Sequence, residues 1–359
     1  MTLAVRIAQI MLGKRFGGAE RSFVDLCRAL VARDHEVLAV CEGRADVRRH
    51  LEQMEGIAYR TLKVYGPWDF LARRTIERYL RDFGADIAQL HLARAAGLGG
   101  AAARAIGIPT VAKTHNYVDL KYYRAIDYLV PTTLKQHRFL VAGGIPEPRL
   151  SLIPNFSPIV ARREAGAGGA VGDRPLNIVA IGRLVHKKGF DILLHALAAA
   201  RRHGVVFRCA IAGAGPERQA LLKLCGELAL ENAVSFLGWQ HDVRDCLTGA
   251  DVFILPSRYE PFGIVCLEAM ALGIPIVATR TDGPSEILDA DTATLVPIDE
   301  PEDLARALGD IAADPTGAQR RAQAARARFA RDYSEEAVVT RYLALYAEMA
   351  ANRGDSKHT

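Results

Sequence analysis

Short β-rich runs alternate with amphipathic helical stretches along most of the chain. The first half predicts helices at about 18–33 and 45–55, a weaker strand at about 59–64, and strands at VRIAQI, HEVLAVC, DIAQLH, PTVAKTH, IDYLVP and LSLIPN. The second half predicts strands at LNIVAIG, FRCAIAG, AVSFLG, DVFILP, PIVAT and ATLVP, and mostly helix after Pro301. Because parallel strands need crossover connections, this alternation indicates an α/β fold with βαβ units on parallel sheets.

A Gly- and Ala-rich segment interrupts the alternation, ARREAGAGGAVGDRP at 161–175. A segment of this composition without periodicity predicts a flexible linker or a surface loop. The α/β halves on either side are of nearly equal size, so we expect two Rossmann-like domains that face each other across a cleft. Ligands of such sheets bind beyond the carboxyl ends of the strands.

Composition narrows the functions that these domains can have. A length of 359 residues allows two domains with separate cores. Lys and Arg exceed Asp and Glu by 46 to 41, which is too little to predict a nucleic-acid partner but suits anionic small molecules or an anionic membrane surface. The six cysteines form no CxxC pair and predict reduced thiols in a cytosolic protein. Neither a signal peptide nor an apolar run of the ~18 residues that span a bilayer is expected.

Glycines and histidines follow the predicted strands of the first half. Gly17 and Gly18 directly precede the first helix, where their N–H groups can approach an anion or simply form a tight turn. DIAQLH ends at His91 and PTVAKTH at His115, and an imidazole at a strand end can donate to a ligand oxygen or cap a loop. The fingerprint GxGxxG is absent, and GAGPER at 213–218 has only its first half, which argues against NAD.

Two cations follow the first strand of the second half, in AIGRLVHKKG. Arg183 supplies a planar fork of donors, and Lys188 supplies a compact ammonium at the start of a helix. Together they suit a diphosphate that is held without a metal. Solvated surface charge is the alternative, because His186 and Lys187 make the whole loop basic.

Two carboxylates lie eight positions apart in SRYEPFGIVCLEAMALG. Glu260 is expected in the loop after the strand DVFILP, and Phe262 is expected to begin a helix that ends at Gly273. The free N–H groups of the first turn would then point the same way as Glu260. Glu268 would lie a little over two turns along the helix, where its buried carboxylate needs a partner such as a ligand diol or a neighbouring basic residue.

Taken together, these motifs resemble those of the family 4 retaining glycosyltransferases, which have the two-domain GT-B fold. The similarity covers nearly the whole chain, in the order FGGAE, KTHN, LIPNF, IGRLVHKKG, IAGAGPER, VSFLGW and SRYEPFGIVCLEAMALGIPIVAT. The Glu-x7-Glu spacing from Glu260 to Glu268 is its most specific element. The resemblance implies an N-terminal acceptor-binding domain at 1–158 plus about 338–359, and a C-terminal nucleotide-sugar-binding domain at 159–337.

The resemblance also implies a role for each candidate residue. The residues that would bind the donor diphosphate are Arg183, Lys188, Gly17 and Gly18. The residues that would bind the donor sugar and ribose are Glu268, Phe262, Gly263, Ile264 and Val265. The catalytic groups would be Glu260, which holds the transferred sugar, and His115. No cofactor and no metal ion is expected, since the two cations would take the place of a metal.

The acceptor is expected on the first domain. The stretch YGPWDFLARRTIERYLRDF at 65–83 predicts a basic amphipathic helix. The side chains expected near its apolar face are Trp68, Leu71, Ile76, Tyr79, Leu80 and Phe83. Such a helix can lie on an anionic membrane, or it can pack on a core with a solvated basic face. With a glycan or lipid-linked acceptor of lipopolysaccharide type, we expect a cytoplasmic protein in peripheral contact with the inner face of the cytoplasmic membrane.

Other functions remain open at this point. A nucleotide-sugar epimerase or a phosphorylase of the same fold would have a similar site. A non-catalytic nucleotide-sugar-binding protein would be expected to lack one of Arg183, Lys188, Glu260 and Glu268, and all four are present. The sequence does not distinguish UDP-sugars from GDP-sugars.

Overall fold

The computed structural model describes residues 5–117, 119–159, 174–240 and 242–355. The chain divides into two compact units, Met1–Phe156 with Glu335–Thr359 and Ser157–Ser334. The first is called the N-terminal unit and the second the C-terminal unit. The linker expected at 161–175 lies outside the described residues except for its last two positions.

The N-terminal unit contains a six-stranded sheet. Its strands are β1 Arg6–Met11, β2 Glu36–Glu42, β3 Ala58–Leu62, β4 Ile87–His91, β5 Thr110–Thr114 and β6 Tyr128–Pro131. The helices in the same part of the chain are α1 Gly18–Val31, α2 Arg48–Glu52, α3 Phe70–Phe83, α4 Leu92–Ala105 and α5 Leu134–Ala142. The strand order is β3-β2-β1-β4-β5-β6, and every pairing is parallel.

The C-terminal unit repeats this arrangement. Its strands are β7 Leu176–Ile181, β8 Phe207–Ala212, β9 Val234–Gly238, β10 Val252–Leu255, β11 Ile276–Thr279 and β12 Thr294–Val296. Its helices are α6 Phe190–Arg202, α7 Arg218–Glu227, α8 Val243–Leu247, α9 Ile264–Leu272, α10 Pro284–Ile287, α11 Pro301–Ala313 and α12 Pro315–Arg328, followed by a π-helical turn at Phe329–Tyr333. The order β12-β11-β10-β7-β8-β9 is also wholly parallel. The predicted α/β fold with parallel sheets is confirmed.

The last helix, α13 Glu335–Asp355, belongs to the N-terminal unit. Its apolar side chains, Tyr342 and Tyr346 among them, pack with Ile7 and Met11 on one face of the N-terminal sheet. Residues of alternate register, such as Ile10, pack on the opposite face with α3 and α4. Both faces are therefore buried, which explains why the strands are nearly continuous apolar runs. None of the helices in the described part of the chain combines the length and apolarity needed to cross a bilayer.

Some expected elements of the N-terminal unit differ from the structure. LSLIPN forms no strand, and a single bridge joins its Leu150 to Leu129. Pro154 has no N–H with which to continue a ladder. The helix expected over 65–83 begins only at Phe70, where the Asp69 side chain accepts a hydrogen bond from the amide of Ala72 and caps it.

Both sheets have the strand order of a dinucleotide-type Rossmann fold, in which the chain reverses direction across the sheet between the first and fourth strands. In the C-terminal unit these strands are the neighbours β7 and β10. In the N-terminal unit they are β1 and β4. In each unit, a ligand is expected to bind at the carboxyl ends of these two strands.

Candidate active site

The loops that follow β7 and β10 bring two predicted site residues into direct contact. Lys188 lies in a short 3-10 turn, His186–Lys188, immediately before α6. Glu260 lies in the loop after β10, and its carboxylate accepts a hydrogen bond from the Lys188 ammonium. The two side chains are only 19% and 10% exposed, so this is a largely desolvated ion pair. Arg183 stands in the same loop as Lys188, two positions after β7, and its side chain is exposed.

The backbones of the two loops are joined by Arg258. Its amide and that of Tyr259 both donate to the carbonyl oxygen of Lys187, at 2.9 and 3.1 Å. Its guanidinium donates two hydrogen bonds to Asp191 in the first turn of α6, at 2.8 and 2.7 Å, and a third to Asp299 at 2.6 Å. Burial would raise the pKa of Asp191, but the hydrogen bonds and charge of Arg258 lower it below its ordinary value. Arg258 therefore fixes the positions of both loops.

Glycine is required where the loop after β7 touches the loops after β10 and β8. Gly189 has a φ of +66°, and a Cβ on it would lie 2.0 Å from the carbonyl oxygen of Pro256. Gly213 has a φ of +144°, and a Cβ there would lie 1.8 Å from the oxygen of Gly182. Only glycine meets both the positive φ and the close approach. The GAGP segment is thus a packing element beneath the Arg183 loop.

Helix α9 begins later than expected. Gly263, with a φ of +92°, is its N-cap, so Phe262 lies buried in the preceding loop and Ile264 is the first helical residue. The left-handed backbone of Gly263 explains the difference, because it does not fit a right-handed helix. Ile264 and Val265 are partly exposed, and their amides are the first N–H groups of the helix. Glu268 is 1% exposed in the second turn.

The N-terminal unit places its predicted glycines at the start of a long helix. Gly17 is the N-cap of α1 and Gly18 its first residue, and both are exposed. Lys14 and Arg15, also exposed, stand in the loop just before them. The amides and the helix dipole add to these two positive charges, which makes the loop suitable for an anion.

His115 follows β5 and belongs to a chain of hydrogen bonds inside the N-terminal unit. Its Nε2 lies 3.2 Å from Nδ1 of His91, and Nε2 of His91 lies 2.8 Å from Oε1 of Gln9. The Gln9 amide nitrogen donates in turn to the hydroxyl of Tyr346. Since the Gln9 oxygen only accepts, Nε2 of His91 carries a proton and Nδ1 of His91 accepts from His115.

Both rings of this histidine pair are neutral. Burial lowers the pKa of both His91 and His115 well below the ordinary value, and a positive charge on the nearby Lys113 adds to the effect. A neutral His115 whose Nε2 donates to His91 has Nδ1 as an acceptor. Nδ1 of His115 is thus an acceptor, whereas the strand-end position had suggested a donor.

Lys113 is a buried lysine beside this chain of hydrogen bonds that the sequence did not single out. It is 0% exposed, donates to the hydroxyl of Ser22 at 3.1 Å, and lies 5.3 Å from the ring centre of Tyr342 on α13. Ser22 donates onward to Asn155 at 3.0 Å. Burial lowers the pKa of Lys113 to about 7, against the opposing charge of Asp25.

Within the described residues, no three His, Cys, Asp or Glu side chains are grouped so as to hold a metal ion. The six cysteines are free thiols, and five of them are buried.

Comparison with known proteins gives the family. The model of Glycosyl transferases group 1 matches residues 165–328, and that of Glycosyltransferase Family 4 matches residues 16–158. The lipopolysaccharide core biosynthesis glycosyltransferase LpsE of Rhizobium meliloti is 31% identical over 349 residues, which are 96% of this chain and 99% of LpsE. The chain belongs to the group 1 glycosyltransferases.

Solved structures show the fold of this transferase. A glycosyltransferase from Rickettsia africae matches with a TM-score of 0.85 and 18% identity, over 97% of this chain and 99% of that one. HepE of Anabaena, in complex with UDP and glucose, matches with a TM-score of 0.81 and 19% identity, over 96% of this chain and 99% of HepE. With the two six-stranded parallel sheets, this likeness confirms the predicted GT-B fold.

The predicted site residues of the transferase lie at the ends of several strands in both units. The C-terminal unit brings Lys188 and Glu260 together and holds Glu268 with the Phe262–Val265 segment on and before α9. In the N-terminal unit, Gly17 with Gly18 and His115 follow different strands. Arg258 and Gly189 lie within SRYEPFG and AIGRLVHKKG but were not predicted, because their importance depends on contacts between loops about 70 positions apart.

Proposed function

We propose that this transferase moves a hexose from a UDP- or GDP-sugar to a glycan or lipid-linked acceptor, with retention of anomeric configuration and without a divalent metal. The observation that carries the proposal is the contact of Lys188 with Glu260 at the carboxyl ends of the neighbouring strands β7 and β10. The relative LpsE, named for lipopolysaccharide core biosynthesis, supports an acceptor in lipopolysaccharide or another cell-surface polysaccharide.

The reaction breaks the bond between the anomeric carbon and a diphosphate oxygen. Negative charge grows on the departing nucleoside diphosphate, while the sugar gains oxocarbenium character. In the proposal, Arg183 and Lys188 bind the diphosphate and stabilise that charge. The exposed guanidinium of Arg183 is accessible to a phosphate, and Lys188 is already held by Glu260 and the 3-10 turn.

Glu260 is assigned to the transferred sugar and Glu268 to the ribose hydroxyls. Glu260 acts as an orienting and electrostatic group and not as a covalent nucleophile. Its position next to Lys188 supports this assignment, since the anomeric carbon of the donor is bonded to the diphosphate that Lys188 is proposed to bind. The backbone of Phe262 and Gly263 and the first amides of α9, at Ile264 and Val265, are assigned to sugar hydroxyls and phosphate.

In the N-terminal unit, Gly17 and Gly18 are assigned to phosphate and His115 to a sugar hydroxyl. The open start of α1 with Lys14 supports the first assignment. The acceptor nitrogen left on His115 by its bond to His91 supports the second, since a sugar hydroxyl can donate to it.

The test is release of nucleoside diphosphate from a panel of donors in the presence of a chelator. The purified protein is incubated with UDP-glucose, UDP-galactose, UDP-N-acetylglucosamine and GDP-mannose, beside a Glu260→Ala variant. Release from one donor that the variant loses supports transfer chemistry and identifies the donor. NMR of the released sugar then reports whether its first-formed anomer is the retained one.

Two results would contradict the proposal. Release that requires added Mg²⁺ or Mn²⁺ would contradict the metal-independent mechanism. No release from any donor, together with no heat of binding for UDP, GDP or ADP, would mean that the protein has no sugar-nucleotide site.

A further inference from the structure

Four large apolar side chains within seven consecutive positions are exposed in the N-terminal unit. Tyr65 is 86% exposed, Trp68 93%, Phe70 56% and Leu71 75%. They occupy the loop between β3 and α3 and the first turn of α3, and this segment, Tyr65–Leu71, is called the apolar tip. Single exposed apolar residues are ordinary on a soluble domain, whereas four in so short a segment point to an interaction surface.

The apolar tip is separate from the face that α3 buries. Ala72, Ile76 and Leu80 are buried on the sheet side of α3. The expectation that Trp68 and Leu71 share a face with Ile76 and Leu80 is therefore wrong, because Trp68 precedes the helix and Leu71 projects away from the core. The tip does not contribute to the core of the unit.

The apolar tip is held in a defined turn. The carboxylate of Asp69 accepts from the amide of Tyr65 at 2.9 Å and from the amide of Ala72 at 2.9 Å. These two bonds fix both ends of the segment that presents Trp68. The exposed side chains thus stand on an ordered support.

The residues around the tip are basic. Lys63, Arg74 and Arg78 are exposed, and the guanidinium of Arg74 lies 4.8 Å from the ring centre of Phe70. The nearby acids are engaged: Asp69 accepts the two amides of the turn, and Glu77 accepts from Arg81 at 2.8 Å. Aromatic side chains next to uncompensated arginines match the interface of an anionic bilayer, where rings sit among the headgroups and cations meet lipid phosphates.

We propose that the apolar tip docks this transferase on an anionic bilayer, with Trp68 and Leu71 in the headgroup region and Arg74 and Arg78 on lipid phosphates. A bilayer is chosen as the partner because the proposed function includes a lipid-linked acceptor, and the docking proposal rests on that function. A second copy fits less well, because a two-fold interface centred on the tip would bring each arginine close to its own symmetry mate. Like charges at such an interface are destabilising.

The experiment measures vesicle binding and does not depend on turnover. Intact protein is sedimented at low salt with vesicles of phosphatidylcholine, with and without phosphatidylglycerol. The chain has two tryptophans, so a Trp239→Phe background leaves Trp68 as the reporter of insertion. Two test variants, Trp68→Ser/Leu71→Ser and Arg74→Glu/Arg78→Glu, are compared with the controls Val206→Ser and Arg320→Glu, which change an exposed apolar residue and an exposed arginine in the C-terminal unit.

We expect binding to the anionic vesicles only, with a blue shift of Trp68 emission. Removing the two arginines should weaken binding by at least about twentyfold, since each contributes about fivefold. Removing Trp68 and Leu71 should weaken it at least about tenfold and the controls should not. Thermal unfolding confirms that each variant is folded.

Three results would overturn the proposal: no binding by the intact protein, equal binding to neutral vesicles, or equal binding by the Trp68→Ser/Leu71→Ser variant. A fourth contradicting result would come from light scattering without vesicles, if the intact protein were a dimer and the Trp68→Ser/Leu71→Ser variant a monomer. Because donor hydrolysis is assayed without vesicles, failure of the docking surface and failure of the proposed transfer give different results.

Discussion

Lys188 donates a hydrogen bond to Glu260 across two loops that lie 72 positions apart in the sequence. The two residues were expected to bind different parts of one ligand, diphosphate and sugar. In the structure each is the other's partner, so a diphosphate that binds Lys188 must share the ammonium with the carboxylate. A largely buried carboxylate next to an incoming anion opposes binding of a diphosphate that carries no sugar.

The first prediction concerns this competition. Glu260→Gln keeps the size of the side chain and removes its charge, so we expect UDP or GDP to bind about fivefold more tightly, a change of roughly 1 kcal/mol. Release of nucleoside diphosphate from the sugar donor should nevertheless fall ~100-fold, because the charge near the anomeric centre is lost. Titration calorimetry and the release assay measure the two effects, with Lys188→Met as the control that should lose both binding and release. A parallel loss of diphosphate affinity in Glu260→Gln would contradict the assignment.

The second prediction is that Arg258 acts by positioning. Arg258→Met removes the bonds to Asp191 and Asp299 without touching the proposed ligand contacts. We expect kcat for donor hydrolysis to fall between about tenfold and 100-fold with little change in KM, since misplacement of the reacting groups affects mainly the transition state. Arg258→Lys should recover only part of the rate, because an ammonium cannot make the two-bond contact with Asp191.

A matched control for Arg258 exists in the same unit. Arg328 forms an ion pair with Asp289 and donates to the carbonyl oxygen of Ile287, neither of which belongs to the two loops, and its side chain is of similar exposure, 24% against 19%. Arg328→Met should therefore lower stability comparably and leave kcat close to the wild-type value. Equal loss of kcat in both variants would mean that Arg258 contributes only to stability.

Much of the fold follows from local sequence patterns. Continuous apolar runs such as IVAI and VFIL predicted buried parallel strands, and the glycines before α1 and after α9 marked helix ends. Strand order was not readable from the sequence, because pairing of β7 with β10 joins segments separated by two other strands and three helices.

The candidate site was predictable as a set of residues but not as a set of contacts. Glu260 and Lys188 were chosen for charge and position, whereas their bond to each other depends on the packing of Gly189 against Pro256. Lys113 was missed because a lysine in PTVAKTH reads as the solvent-facing position of a strand. The long α13 packs over it and closes that face, which a local pattern does not show.

The third prediction tests the contact between the loops. Gly189→Ala must strain a φ of +66° and place a methyl group 2.0 Å from the oxygen of Pro256. Gly204→Ala is the matched control, since Gly204 has a φ of +84° and nothing within 4 Å of the added carbon. We expect the control to lower the free energy of unfolding by about 1 kcal/mol, the cost of the left-handed backbone alone. Gly189→Ala should cost clearly more, about 3 kcal/mol or above, because backbone atoms must move. Urea unfolding of the two variants measures the difference, and equal losses would show that the loop contact adds nothing.

The fourth prediction uses the depressed pKa of Lys113. Burial lowers that pKa to about 7 in the folded protein, against 10.5 for the ordinary group. Between these values the unfolded chain binds a proton at this site that the folded protein does not, so the Lys113 contribution to stability rises with pH across the window and is lost as pH falls towards 7.

Nearby groups also titrate, among them Cys27, whose pKa burial raises, and Asp25. Because they are present in both proteins, the informative quantity is the difference between wild type and Lys113→Met. From pH 7.5 to 9 we expect the free energy of unfolding of the wild type to rise, relative to the variant, by about 1 kcal/mol per pH unit. Urea unfolding at a series of pH values measures this slope. Parallel profiles for the two proteins would mean that Lys113 stays protonated inside the N-terminal unit.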